Sequence, residues 1–132
     1  MIDCLILGDS IAVGTHRFKQ ECVAYATGGL NSKQWFDRNV GKSPYIAKTV
    51  IISLGTNDHQ YIKTESELRT LRALTKGDRI YWILPAIKPD IQNIVRKVAQ
   101  ENGDIVLPIT SLQADKIHPS WAGYKQIAKE TQ

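Results

Sequence analysis

Short apolar runs alternate with polar segments along the whole chain, and the spacing of the apolar positions changes from stretch to stretch. Ile2 and Leu5-Ile6-Leu7 make an apolar run near the length of a central strand, closed by Gly8. Ile11 to Gln20 can follow as a first helix, and Cys22-Val23-Ala24-Tyr25-Ala26 predicts a second, short strand. Thr27-Gly28-Gly29 turns the chain, and Asn31 or Ser32 then caps a short segment with Trp35, Phe36 and Val40 facing inward. Thr49-Val50-Ile51-Ile52-Ser53-Leu54 is largely apolar and β-branched, as a parallel strand covered on both faces should be.

The second half repeats the alternation. A capping box, Thr64-Glu65-Ser66-Glu67, opens a helix with Leu68, Leu71 and Leu74 on one face, ended by Gly77. Arg79 to Leu84 reads as a fourth strand. Asp90 caps a helix with Ile91, Ile94, Val95, Val98 and Ala99 at core spacing, stopped by Asn102-Gly103. Ile105-Val106-Leu107 is a short fifth strand, and Ser120 caps a last helix with Trp121, Tyr124, Ile127 and Ala128 inward. Strands alternating with amphipathic helices predict an α/β fold with a parallel sheet and right-handed crossovers.

Composition narrows the picture without redrawing it. A chain of 132 residues forms one domain spanning 1–132, long enough to bury about two-thirds of its unfolded surface. Its apolar runs are far too short to span a bilayer, so no membrane insertion is expected. The first twenty residues lack the basic-then-apolar pattern of a cleaved signal, which predicts a cytoplasmic protein or one exported without such a peptide. Cys4 and Cys22 are the only cysteines, and their places in the first two strands predict reduced thiols packed in the core. With no CxxC and no Cys/His ligand spacing, neither a metal nor another cofactor is expected. Lys and Arg are scattered and the net charge is only +4, which argues against nucleic acid as a partner and is compatible with an anionic substrate.

The chemistry gathers where strands end. Gly8 allows a sharp turn, and Ser10 then stands at the carboxyl end of a strand, where a helix begins and its N–H groups point outward. The other predicted strand ends carry Gly29, Asn57 and the loop Asp115-Lys116-Ile117-His118-Pro119. In a parallel sheet these ends share one edge and can converge. Serine is a weak nucleophile that needs a base, and histidine is the base suited to neutral pH. An aspartate three residues before it can curl back to hold the imidazole tautomer, and an amide with backbone N–H groups can receive an oxyanion.

Gly8-Asp9-Ser10, Gly29, Gly55-Thr56-Asn57-Asp58 and Asp115-Lys116-Ile117-His118-Pro119 together resemble the motif blocks of the SGNH (GDSL-type) hydrolase family. The resemblance covers nearly the whole chain. It implies a flavodoxin-like α/β/α sandwich with a five-stranded parallel sheet in the order 2-1-3-4-5. It also implies Ser10 as nucleophile, His118 as base and Asp115 as the residue that orients it. The oxyanion hole would comprise the Ser10 and Gly29 N–H groups and the Asn57 side chain. Two departures stand out: isoleucine follows Gly-Asp-Ser where the family has leucine, and the chain is shorter than most members.

The expected activity is that of a serine esterase working through an acyl-enzyme on short-acyl esters, with O-acetyl groups on a carbohydrate as the expected substrate. A thioesterase or lysophospholipase-type hydrolase is the alternative, and a carbohydrate-binding module that has lost turnover is a third. The expected substrate contacts are Ile11, Asp58, His59, Tyr61, Ile87 and Ile117. The loops after each predicted strand are brief, which predicts a short, open acyl pocket.

Overall fold

The computed structural model describes residues 2–132. Its elements run β1 (Cys4–Gly8), α1 (Ser10–Arg17), β2 (Val23–Ala26), α2 (Ser32–Asn39), β3 (Tyr45–Ile46), β4 (Thr49–Ser53) and α3 (Thr64–Ala73). The chain continues through β5 (Thr75–Lys76), β6 (Arg79–Ile83), α4 (Pro89–Asn102), β7 (Ile105–Leu107) and α5 (Trp121–Glu130). Five of the strands form one parallel sheet in the order β2-β1-β4-β6-β7. Renumbered among themselves these are 2-1-3-4-5. The labels differ because β3 and β5, two residues each, pair only with one another in a separate sheet.

Side-chain alternation along the strands divides the core into two layers. Leu5, Leu7, Val50, Ile52 and Trp82 point to one face, where Trp35, Leu68, Leu71, Val95 and Val98 of α2, α3 and α4 cover them. Ile6, Ile51, Tyr81 and Ile83 point to the other, against Ile11, Tyr124 and Ile127 of α1 and α5. The result is a three-layer sandwich whose strand ends open along one edge.

Several local expectations are corrected. Cys4 and Cys22 are joined in a disulfide, with Cα atoms 4.8 Å apart. Leu5 pairs with Val23 in the parallel register, so the residues just before them lie side by side. No helix among the described residues is long and apolar enough to cross a membrane. Thr64 is the first residue of α3 rather than its cap, and its hydroxyl donates to Asp58. Helix α4 begins at Pro89, ahead of Asp90, after Lys88 adopts a left-handed conformation. Val40 and Trp121 are exposed rather than inward. His16 is half-buried, with its Nε2 2.9 Å from the Cys22 carbonyl oxygen.

Candidate active site

The site begins where β1 and β4 run too close together for a side chain. A Cβ on Gly8 (φ +144°) would lie 1.9 Å from the Ser53 carbonyl oxygen, so only glycine fits. Asp9 then caps α1. Its Oδ1 accepts from the Ile11 N–H at 3.0 Å and from the Ser53 hydroxyl at 3.1 Å, while Oδ2, also buried, has no partner. Burial pushes the Asp9 carboxyl up to about 6, against the pull of those hydrogen bonds.

Ser10 is the first residue of α1, at the carboxyl edge of the sheet. Its Oγ lies 2.9 Å from His118 Nε2, and His118 Nδ1 lies 2.7 Å from Asp115 Oδ2. The other Asp115 oxygen accepts the N–H groups of Ile117 at 2.9 Å and His118 at 3.0 Å. Those two backbone donors, with the imidazole, hold the Asp115 carboxyl down to about 2. The carboxylate and the segment carrying His118 are therefore held together.

The turn after β2 comes in beside the serine. A Cβ on Gly28 would sit 3.7 Å from that of Ser10, and Gly29 (φ +80°) faces open space. Asn31 ends this turn in a reciprocal capping box with Gln34, which fixes how the backbone enters α2. Asn57, after β4, is half-buried and donates one amide hydrogen from Nδ2 to the Leu30 carbonyl at 3.0 Å. A primary amide has a second N–H to offer.

Asp58, expected at the substrate, is buried and accepts from the Ser32 N–H (2.8 Å), the Ser32 hydroxyl (2.5 Å) and the Thr64 hydroxyl (2.7 Å). It braces the loop, its carboxylate already taking three donors, and it does not line the cleft at Ser10. Ile11 is likewise corrected: it is fully buried in the layer beneath α1. His59 and Tyr61 are both exposed and neither lines the cleft at Ser10; the Tyr61 N–H donates to His59 Nδ1. His59 lines a depression of about 670 Å³ with Gln60, Ile62, Lys88, Ile91 and Ile94. Ile87 and Ile117 are half-buried. The cleft of about 360 Å³ that opens at Ser10 and His118 is lined by Val13, Gly14, Arg17, Gly28, Gln113 and Tyr124.

One residue of the site escaped the sequence reading. Lys88 Nζ donates to the carbonyl oxygens of Thr56 and Asp58, both at 2.7 Å, and so grips the backbone on either side of Asn57. Lys88 reaches there from a left-handed backbone (φ 65°), a conformation that is costly for a non-glycine residue. The available signal was a lysine set between apolar residues and a proline at a strand end.

A hydrogen-bonded row of carboxylate, imidazole and hydroxyl can move a proton off the hydroxyl and return it to a leaving group. No protein-family model matches the chain, and no curated protein sequence matches it. Its fold does match solved structures. A Bacteroides fragilis protein designated an acylhydrolase superposes with a TM-score of 0.66 at 17% identity, over 96% of this chain and 83% of the other. The catalytic domain of the Streptococcus pneumoniae peptidoglycan O-acetyltransferase A, bearing a methylsulfonyl adduct, gives 0.57 at 18% identity, over 99% and 96%. An acetyl xylan esterase from Butyrivibrio proteoclasticus gives 0.57 at 13% identity, over 98% of this chain and 61% of the other. At these identities the likeness is one of fold.

Proposed function

We propose that this chain is a serine esterase that removes short acyl groups from the hydroxyls of a carbohydrate. The observation that carries the proposal is the continuous row Asp115 Oδ2–His118–Ser10 Oγ, at 2.7 Å and 2.9 Å. Ser10 Oγ attacks the ester carbonyl while His118 Nε2 takes its proton. The tetrahedral oxyanion is received by the Ser10 and Gly29 N–H groups and the second N–H of Asn57. His118 then passes its proton to the departing alcohol, leaving Ser10 acylated. Water, deprotonated by the same imidazole, hydrolyses the acyl-enzyme and restores the serine. Asp115 stays ionised and holds the imidazole tautomer throughout. No step calls for a metal.

The acyl group is short because the cleft that opens at Ser10 holds only about 360 Å³, and the step from β6 (ending at Ile83) to α4 (starting at Pro89) is too brief to wall a groove. The peptidoglycan O-acetyltransferase and the acetyl xylan esterase support acetyl groups on glycans as the substrate class. A p-nitrophenyl ester series from acetate to palmitate, below micellar concentrations, tests the acyl length. Activity should stop improving beyond roughly four carbons, because each further methylene gains its ~0.8 kcal/mol only where it is buried. A peak at eight carbons or more would favour a thioesterase or lysophospholipase instead. Failure of a fluorophosphonate probe to label Ser10 would leave only a binding module.

A further inference from the structure

The cleft at Ser10 does not end at Tyr124. A second depression of about 590 Å³ adjoins it, and Gly14, Arg17, Gln113 and Tyr124 line both. Phe18, Ser120 and Trp121 form the outer part. Trp121 is 70% exposed, whereas Trp35 and Trp82 are both 0% exposed. It is held in place all the same. Phe18 meets its ring edge-on at 5.8 Å and stacks on Tyr124 at 5.8 Å, so three aromatic rings lead outward from the catalytic cleft. Lys125 Nζ sits 4.5 Å from the indole centroid.

The lining mixes apolar rings with polar groups. Arg17 is exposed and its guanidinium has no hydrogen-bond or ion-pair partner among the described residues. Gln113 donates from Nε2 to the Pro119 carbonyl at 3.0 Å, which holds its amide against the His118 loop. A fatty chain would need a wall without these groups. A pyranose ring matches them, since it offers an apolar C–H face to an aromatic ring and hydroxyls to planar donors around its edge.

The direction of the reaction says which part of the ester lies here. The departing oxygen takes its proton from His118, so the alcohol must lie on the His118 side of Ser10. Gln113 and Tyr124 line that side of the cleft, while Gly29 and Asn57 serve the carbonyl oxygen. We propose that the second depression is a subsite for a sugar ring of the alcohol portion, stacked on Trp121 and held at its edge by Arg17 and Gln113. The assignment rests on the esterase reading for its orientation, and on the aromatic row and the unpaired guanidinium for its ligand.

The test uses Ser10→Ala protein, which holds an ester without turning it over. It is titrated with O-acetylated xylo-oligosaccharide and, separately, with O-acetylated chito-oligosaccharide, following tryptophan emission. The buried Trp35 and Trp82 are shielded, so a saturable change that disappears in Ser10→Ala/Trp121→Ala supports the subsite, and the arm that responds identifies the sugar. In the active enzyme, Trp121→Ala should lower kcat/KM for the acetylated sugar relative to p-nitrophenyl acetate by about 5–20-fold, mainly through KM. Trp121→Tyr should recover most of the loss. Emission that does not respond to either sugar, or an unchanged ratio in Trp121→Ala, would overturn the subsite while leaving the esterase intact. Should the parent protein hydrolyse no ester at all, the esterase reading fails, and a Trp121-dependent emission change would still establish the sugar site.

Discussion

Asp115 and His118 sit on the loop between β7 and α5 with side chains 41% and 33% exposed. Asp58, on the loop after β4, is 1% exposed and takes three hydrogen bonds, and Lys88, in the loop between β6 and α4, grips the carbonyls around Asn57. One side of the cleft is open and the other is locked; on the proposed mechanism the open side carries the proton and the locked side the donors for negative charge. The difference follows from what each must do. A proton carrier exchanges with solvent and with a leaving group at every turnover. Donors for an oxyanion help only if they are already in place when the charge develops, so that nothing has to reorganise at that moment. Ser10 and the buried Asp9 form the seam between the two sides.

The largest effect should come from the open side. Ser10→Ala is expected to cut ester hydrolysis by on the order of 10⁴-fold or more without changing the fold, measured by steady-state kinetics and circular dichroism. Near-normal turnover would remove Ser10 from the mechanism. Asp115→Asn comes next, with a loss of about 10³–10⁴-fold, because an amide can favour the wrong imidazole tautomer. Its Oδ1 can still accept from the Ile117 and His118 N–H groups, so the loop should survive. In the parent protein the Asp115 carboxyl, held at about 2, stays ionised in any ordinary assay. Asp115 should therefore contribute no step to the kcat/KM profile between pH 4 and 9. A step in that window that Asp115→Asn abolishes would show that the carboxyl is not held ionised.

On the locked side, Asn57→Ala should lower kcat by about 10²–10³-fold with little change in KM. A raised KM at constant kcat would make Asn57 a ground-state contact instead.

Asp9 tests the seam through stability. Its carboxyl is raised from 3.8 to about 6, so the folded state holds that proton more tightly than the unfolded chain does. The resulting stabilisation is complete below pH 3.8 and is lost as pH rises through about 6. Asp9→Asn should accordingly gain roughly 1–3 kcal/mol over the parent at pH 8 and almost nothing at pH 4, by urea unfolding. Equal gains at both values would show that ionisation is not the cause.

The smallest expected effect belongs to the brace. Lys88→Met keeps the length of the side chain and removes its donors. It should lower kcat about tenfold, with KM nearly constant. In an Asn57→Ala background the further loss should shrink, because the two act through one loop. Full additivity would mean that Lys88 supports the fold and not the amide.

What the sequence by itself determined is the five strands of the main sheet, the helices between them and the strand ends proposed to carry the chemistry, whereas the two-residue β3 and β5 went unread. Leu5-Ile6-Leu7 and Thr49 to Ile52 are unbroken apolar or β-branched runs of strand length, Leu68/Leu71 and Val95/Val98 repeat at helical spacing, and glycines mark the turns at Gly8, Gly29 and Gly55. These signals are local, so they survive without knowledge of neighbours. Ser10 and His118, 108 positions apart, could be matched because their residue types and order carry a recognisable pattern. Only the tertiary structure decided matters that depend on which element lies alongside. Periodicity says that a side chain faces a neighbour but not which one. At the first turn of a helix it does not settle whether the neighbour reaches that far. Ile11 and Trp121 are both first-turn residues read as apolar positions, and one is fully buried under the sheet while the other stands in solvent. Strand register brought Cys4 against Cys22, and the path of the β6–α4 loop brought Lys88 to the carbonyls around Asn57. Those contacts arise from how the layers pack, a property no single stretch of the chain contains.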